Sequence, residues 1–375
     1  MNKKIKRNIL LNPGPATTTH TVKMSQVVSD ICPREKEFCH LMESVRNDLL
    51  KIINANKEKY ATVLFGSSGT AVMDSVISSV IPKEKKLMIL INGSYGDRMQ
   101  KIAETYNINT ILVKSRYGDP INFNKADDIL ASNSDIGYLA MVHHETTTGR
   151  LNSIEQFSTL GKKYEQTLIL DAISSYAGIP INLKETPIDF LLSTSNKCIQ
   201  GMAGLAFVIC NKSKLDNLKN IQGRSYYLNL FDQYNYMKKT SQMRFTPPVQ
   251  TFYALKQAID EYFEEGGANR YERYTNNWKI LRTGLKDLGF KFLLSSEVES
   301  HILLTIIEPK NPEYNFEIMH DLLLNKYFTI YPGKVGYKST FRLANMGSIN
   351  SKDIDKFIYE LDIVLKKMGI NKIIN

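Results

Sequence analysis

The chain has 375 residues, enough for two domains or for one large α/β domain with a smaller companion. Hydrophobic residues at 43% and charged residues at 23% match soluble globular proteins, which excludes disorder as the main state. The 48 basic residues outnumber the 38 acidic ones and leave a net charge of +10, but they are spread along the chain, with short clusters only at 3–7 and 83–86 and no zinc-finger spacing or basic zipper; a nucleic-acid partner is not expected.

The longest apolar runs, such as 87–91 and 205–210, are strand-sized, well short of the roughly 18 residues a membrane helix needs. The basic start is followed by an apolar stretch of only 9–11 before Asn12 and Pro13, too short for a signal-peptide core, so the cytoplasm is the expected compartment. Cys32, Cys39, Cys198 and Cys210 form neither a C-x-x-C pair nor a His-completed set, and free thiols are expected.

In chain order, strands are predicted over 61–65, 87–91, 110–113, 137–142, 167–171, 188–193 and 205–210, each followed by turn residues and, in most cases, a helical pattern. That alternation predicts a doubly wound, mostly parallel seven-stranded sheet. Between the first two strands Val72, Met73, Val76, Ile77, Val80 and Ile81 recur at helical spacing and mark a crossover helix. Only a turn separates 188–193 from 205–210, too short for a helical crossover, so this pair is expected to be antiparallel. A polar and aromatic stretch, 211–248, leads to a helix over 250–265 that Gly266 and Gly267 terminate. Beyond it, a helical pattern over 278–288, a strand at 301–307, a helix around 316–324, a short strand at 341–344 and a final helix over 351–368 make a compact α+β unit. The expected organisation is an N-terminal segment, 1–20, packing near the active site, a large domain, 21–265, and a small domain, 266–375. In the last helix Ser351 is the expected N-cap, Ile354, Phe357, Ile358, Leu361, Leu365 and Met368 the buried stripe, and Gly369 the stop.

Three features carry chemistry. Gly66-Ser67-Ser68-Gly69-Thr70 follows a strand and opens a helix, where small residues, hydroxyls and the helix amino terminus suit an anion; ordinary capping is the plain alternative. It lacks the Lys of a P-loop and the spacing of a dinucleotide site, so the phosphate need not be a nucleotide's. Asp171 closes a buried strand at the edge where α/β sheets bind ligands, although it could equally cap a helix. Lys197 lies in the turn between two hydrophobic strands and is either a surface amine or a nucleophile with a lowered pKa. Together they supply a cup for a phosphate, a carboxylate for a pyridinium nitrogen and an amine for a Schiff base, the three fixtures pyridoxal phosphate needs.

Eleven blocks extend this pattern: LLNPGPATTT (10–19), DICPREKEF (30–38), GSSGTAV (66–72), NGSYGDRM (92–99), HHETTTGRLN (143–152), LDAISSYAG (170–178), SNKCIQGMAG (195–204), RSYYLNLFDQ (224–233), RFTPPVQ (244–250), IYPGKV (330–335) and FRLANMG (341–347). In these blocks and their order the sequence resembles the class V aminotransferases, fold-type I enzymes that use pyridoxal 5'-phosphate, over nearly its whole length. The resemblance implies that Lys197 is the Schiff-base lysine, Asp171 the partner of the ring nitrogen, and Ser68, Gly69 and Thr70 the phosphate cup. It likewise implies that Tyr95 stacks on the ring, Thr146 contacts the ring oxygen and Asn196 reaches the phosphate. Arg342 and Gly14 match substrate-binding positions, Arg342 clamping the anionic end. Thr246 matches a residue that reaches the phosphate across a dimer interface, which implies a homodimer with shared active sites; Met243 stands where some relatives have a further Tyr. The SNKCIQG, RSYYLNL and YPGKV stretches are similar to the branch that takes 2-aminoethylphosphonate as amine donor and pyruvate as acceptor. The rival branch uses alanine or serine with glyoxylate or pyruvate.

Other candidates are read as structural. His143, His144 and Glu145 are adjacent on a strand, so they point to opposite faces and no metal site is expected. Tyr226, Tyr227, Phe231, Tyr234 and Tyr236 are read as interface or core, and Trp278 as packing.

Overall fold

Seven strands form the main sheet: β1 (Tyr60–Phe65), β2 (Lys86–Ile91), β3 (Thr110–Lys114), β4 (Ile136–Val142), β5 (Thr167–Asp171), β6 (Phe190–Thr194) and β7 (Ala206–Asn211). The structure, a computed structural model, describes residues 7–336 and 338–375. Residues 1–6, with the basic stretch 3–6 and the start of the expected N-terminal segment, lie outside the described residues.

The spatial order is β1-β7-β6-β5-β4-β2-β3. β2 through β6 pair in parallel, while β7 runs antiparallel to both β6 and β1, as the short 195–204 connection requires. All six residues of β1 and all five of β5 and β6 are buried, as expected of strands covered on both faces. The covering helices include α1 (Lys36–Ile52), for which the sequence pattern predicts no element, α2 (Gly69–Val80) and α3 (Ser94–Thr105). Because the parallel strands share one direction, the segments that leave β1, β2, β4, β5 and β6 all emerge at one carboxyl edge.

α4 (Val249–Glu265) ends at Gly266, whose φ of 81° suits glycine. Gly267, expected as part of that stop, instead begins α5 (Gly267–Asp287), eleven residues earlier than the predicted helical pattern. The first turns of α5 escape detection because they bury Arg270 and Tyr274 rather than an aliphatic stripe.

A second, four-stranded sheet combines the short strand Lys291–Phe292, β8 (Leu303–Ile307), β9 (Tyr331–Val335) and β10 (Lys338–Ala344). Its core includes Trp278, Leu304, Phe341 and Phe357, and it also takes in Ile9 and Leu11. Ile9–Leu10 pairs in parallel with Phe328–Thr329, which ties the start of the described chain to this unit. In α6 (Ser351–Lys367) Ile354, Phe357, Leu361 and Leu365 are buried, while Ile358 and Met368 are partly so. The N-cap is Asn350, not Ser351. The Asn350 side chain accepts from the Asp353 N–H at 3.1 Å and the Asp353 carboxylate accepts from the Asn350 N–H at 3.0 Å, a reciprocal pair that a serine one position later cannot make.

Candidate active site

The carboxyl edge of the main sheet encloses a cavity of about 350 Å³ whose lining includes Ser68, Gly69, Thr70, Tyr95, Asn196 and Lys197. The cup at the end of β1 is open. Ser68 is the N-cap of α2 by backbone conformation, but its hydroxyl caps nothing, which leaves the helix amino terminus available to an anion. Gly69 is backed by Ile173, which a Cβ at 69 would meet at 3.1 Å.

Asp171, the last residue of β5, is buried. One of its oxygens accepts from the Ile173 N–H at 2.8 Å, and no other hydrogen bond to the carboxylate forms among the described residues. Burial pushes its pKa up to about 7, so a positively charged nitrogen brought against the spare oxygen would favour the carboxylate.

Lys197 lies just beyond β6, and its Nζ donates to the Pro13 carbonyl. Burial lowers its pKa to about 8, so near neutral pH a useful fraction of the amine is unprotonated. Gly14, with φ of 117°, lies against the same side chain; a Cβ there would overlap the lysine. The N-terminal segment thus walls in the amine.

Tyr95 and Arg98 stand one turn apart on α3, with the Arg98 guanidinium 4.5 Å from the Tyr95 ring centre and donating to Thr70 Oγ1 at 3.1 Å. Asn196 accepts from Thr194 Oγ1 at 3.1 Å through its side-chain oxygen. Thr146 is buried and its carbonyl accepts from Arg342 Nη1 at 3.1 Å. Arg342, on β10, also donates from Nη2 to the Pro332 carbonyl at 3.0 Å, and its guanidinium lies 4.8 Å from the Tyr331 ring centre. Gly14, Thr146, Asp171 and Arg342 stand behind or beside the cavity rather than in its lining; Thr246, also outside the lining, is exposed and makes no hydrogen bond to this group among the described residues. Met243 is buried.

Arg98, which the sequence reading did not single out, and Glu145, which it read as structural, belong here. Arg98 lines the cavity, and its place three residues after Tyr95, on the same helix face, was legible in NGSYGDRM. The buried Glu145 carboxylate accepts from Thr147 Oγ1 at 2.6 Å and from the Tyr95 and Gly96 N–H groups at 3.3 and 3.4 Å, so it caps α3 and holds Tyr95 in place. Gly93 must be small, because a Cβ there would overlap that carboxylate. His143 pairs with Ser175 Oγ at 2.9 Å and His144 with Ser174 Oγ at 3.0 Å. Burial lowers both pKa values, to about 4 and about 3, so both rings are neutral. The aromatic cluster divides: Tyr234 is core, whereas Tyr226 is 80% exposed and Tyr227 stacks on Phe245 at 5.1 Å.

An amine, a buried carboxylate with a spare oxygen, a flat aromatic face and an uncapped helix amino terminus, converging at the carboxyl edge of this sheet, define a fold-type I pyridoxal phosphate enzyme. The family model for aminotransferase class-V matches residues 16–302, and the chain belongs to that family. Its cofactor is pyridoxal 5'-phosphate. The 2-aminoethylphosphonate--pyruvate transaminase of Bacteroides fragilis (strain YCH46) is 39% identical over 94% of this chain and 98% of its own length. The enzyme of the same name from Bacillus mycoides (strain KBAB4) is 39% identical over 93% and 96%. Among solved structures, an alanine--glyoxylate aminotransferase from Nostoc sp. matches the fold with a TM-score of 0.89 at 23% identity, covering 97% of both chains. No helix among the described residues is long and apolar enough to cross a membrane.

Proposed function

We propose that the chain transfers the amino group of 2-aminoethylphosphonate to pyruvate, giving phosphonoacetaldehyde and L-alanine and leaving the carbon–phosphorus bond intact. The observation that carries this reading is the near full-length likeness to relatives of that name, together with an arginine, Arg342, at the edge of a site built for an amine-transferring cofactor.

Pyridoxal phosphate, when bound, supplies the carbon that takes up the amino group and a ring that draws electrons from the carbon being deprotonated. Ser68, Gly69 and Thr70 would hold its phosphate at the α2 amino terminus, with Asn196 alongside, and Thr146 would face its ring oxygen. Tyr95 offers a π-face for the ring. Asp171 would keep a proton on the ring nitrogen. Lys197 would tether the cofactor and then, as the free amine, would take a proton from the amino-bearing carbon of the donor onto Nζ. Its lowered pKa suits a base working near neutral pH. Arg342 holds the phosphonate in one half-reaction and the carboxylate in the other, a task for which a planar guanidinium fork fits both anions. Gly14, the other substrate-binding position that the resemblance implies, leaves room for the Lys197 side chain itself.

Donor choice tests this reading. Like pyruvate and alanine, 2-aminoethylphosphonate presents a single anionic group to Arg342, whereas phosphoserine brings two, and an unpaired buried charge costs several kcal/mol; serine adds a hydroxyl that must find a partner. With pyruvate as acceptor, coupled alanine formation should show a higher kcat/KM for 2-aminoethylphosphonate than for serine or phosphoserine. Equal or better kcat/KM with serine or alanine as donor and glyoxylate as acceptor would hand the site to the other branch of the family.

The same reading makes the enzyme a cytoplasmic homodimer in which Thr246 of one subunit completes the phosphate site of the other. The exposed position of Thr246, beside the Tyr226, Tyr227 and Phe245 surface, supports this. Mixing Lys197→Ala and Thr246→Ala subunits should restore activity by giving some sites both residues. No recovery despite demonstrated subunit exchange would exclude sharing. Residues 21–265 and 266–375 are the proposed large and small domains.

A further inference from the structure

The turn that carries Lys197 is held from outside the main sheet by two buried residues of α5. Arg270, 1% exposed, donates from Nη1 to the carbonyl of Cys198 at 3.1 Å, and its Nε is paired with Glu265 at 2.7 Å. Tyr274, fully buried, donates its hydroxyl to the same carbonyl at 3.3 Å. That hydroxyl also accepts from Gln200 Nε2 at 2.7 Å and from the Gly347 N–H at 3.0 Å. One donated and two accepted bonds use its whole capacity.

The three segments fixed by that one oxygen are the residue after Lys197, the residue three beyond Lys197, and the chain five residues past Arg342. Gln200 adopts a left-handed backbone, φ 67°, which a non-glycine residue keeps only where its surroundings hold it. On the other side the Ala16 N–H donates to the Asn196 carbonyl at 2.9 Å, so the lysine turn is gripped at both ends. Cys198, Gln200, Arg270, Tyr274 and Gly347 are not among the residues that line the cavity.

We infer that Arg270 and Tyr274 are positioning residues for catalysis: they hold the Lys197 turn in register with the strand that carries Arg342, so that amine and anion clamp keep a fixed relation while the donor and then pyruvate occupy the site. The inference rests on the proposed role of Lys197. The charged groups that act on the lysine amine are Asp171, Arg98 and Arg342, with the Cys198 thiol beside it. Arg270 and Tyr274 act through the backbone.

Tyr274→Phe keeps the ring and removes only the hydroxyl, and Arg270→Lys keeps the charge facing Glu265 but not the fork that reaches Cys198. The comparison variant is Arg273→Gln, on the same helix, whose guanidinium lies 4.9 Å from the Tyr274 ring centre and contacts Glu265 and the Gly347 and Ile349 carbonyls but makes no hydrogen bond to the lysine turn. Two readouts apply to the full chain. One is steady-state kinetics of the holoenzyme. The other is the pH dependence of Lys197 amidination by methyl acetimidate in cofactor-stripped protein, measured by mass spectrometry of the Lys197 peptide.

In the native enzyme the amidination midpoint should lie near pH 8. In Tyr274→Phe and Arg270→Lys it should rise toward the ordinary lysine value as water reaches a loosened amine, and kcat should fall roughly 10- to 100-fold, the scale for displaced reacting groups. Arg273→Gln should lower Tm and leave the midpoint in place. If Tyr274→Phe and Arg270→Lys lower Tm but leave both midpoint and kcat unchanged, or if Arg273→Gln shifts the midpoint as far, the pair is merely structural and the inference falls. Borohydride reduction of the native holoenzyme separates the two levels. Cofactor fixed on a different lysine overturns the role of Lys197 itself, whereas fixation on Lys197 with unshifted variants overturns only the role of Arg270 and Tyr274.

Discussion

Lys197→Ala should bind cofactor and yet be nearly inactive. Loss of a positioned proton carrier alone costs about 10²–10⁴ in rate, and here the same amine is also the tether. The phosphate cup, Tyr95 and Asp171 are untouched by the change, so part of the cofactor affinity should survive. The native enzyme should be yellow, and borohydride should bleach it while fixing the cofactor on Lys197. Peptide mapping decides the assignment: reduced cofactor on another lysine, or a Lys197→Ala variant within about tenfold of native kcat, would remove Lys197 from the mechanism.

Arg342→Ala should raise the KM for 2-aminoethylphosphonate and lower kcat/KM by about 2–4 kcal/mol, the range for a desolvated charge pair with one member removed. That corresponds to about 30- to 700-fold. Of the five guanidinium N–H donors, two are spent on the Thr146 and Pro332 carbonyls, which orient the group and leave the rest for an anion. Tyr331 covers one face of the ion, and its ring can stay in contact as the anion binds. Arg342→Lys should recover only part of the loss, because an ammonium cannot keep both carbonyl contacts and still present two parallel donors. A kcat/KM within about threefold of native for Arg342→Ala, measured with the phosphonate donor, would place the anion elsewhere.

Where strands were continuous apolar runs the sequence was sufficient: every predicted strand of the main sheet is present, and β1, β5 and β6, covered on both faces, have no polar side to blur their pattern. The antiparallel β7 could be inferred from connection length alone, since a turn cannot make a parallel crossover. Capping was harder. Asn350 took the role expected of Ser351 because its side chain, one residue before the helix, is the one that reaches the third N–H of the helix. The first turns of α5 were hidden because their buried side chains are an arginine and a tyrosine whose polar atoms are satisfied by distant chain.

The chemistry of the site was written locally. Cup, carboxylate and lysine each sit at or just beyond the end of a strand, and parallel strands deliver those ends to one edge, so order along the chain was enough to assemble them. What tertiary structure alone decided is which residues stand behind those groups. Glu145 under Tyr95, the Pro13 carbonyl on the Lys197 amine, and Arg270 with Tyr274 on the Cys198 carbonyl are contacts between segments 50 to 184 positions apart. No periodicity encodes them. A buried charge or hydroxyl finds its partner by closing distance in three dimensions, and the lowered pKa of Lys197 arises from the desolvation that such packing produces.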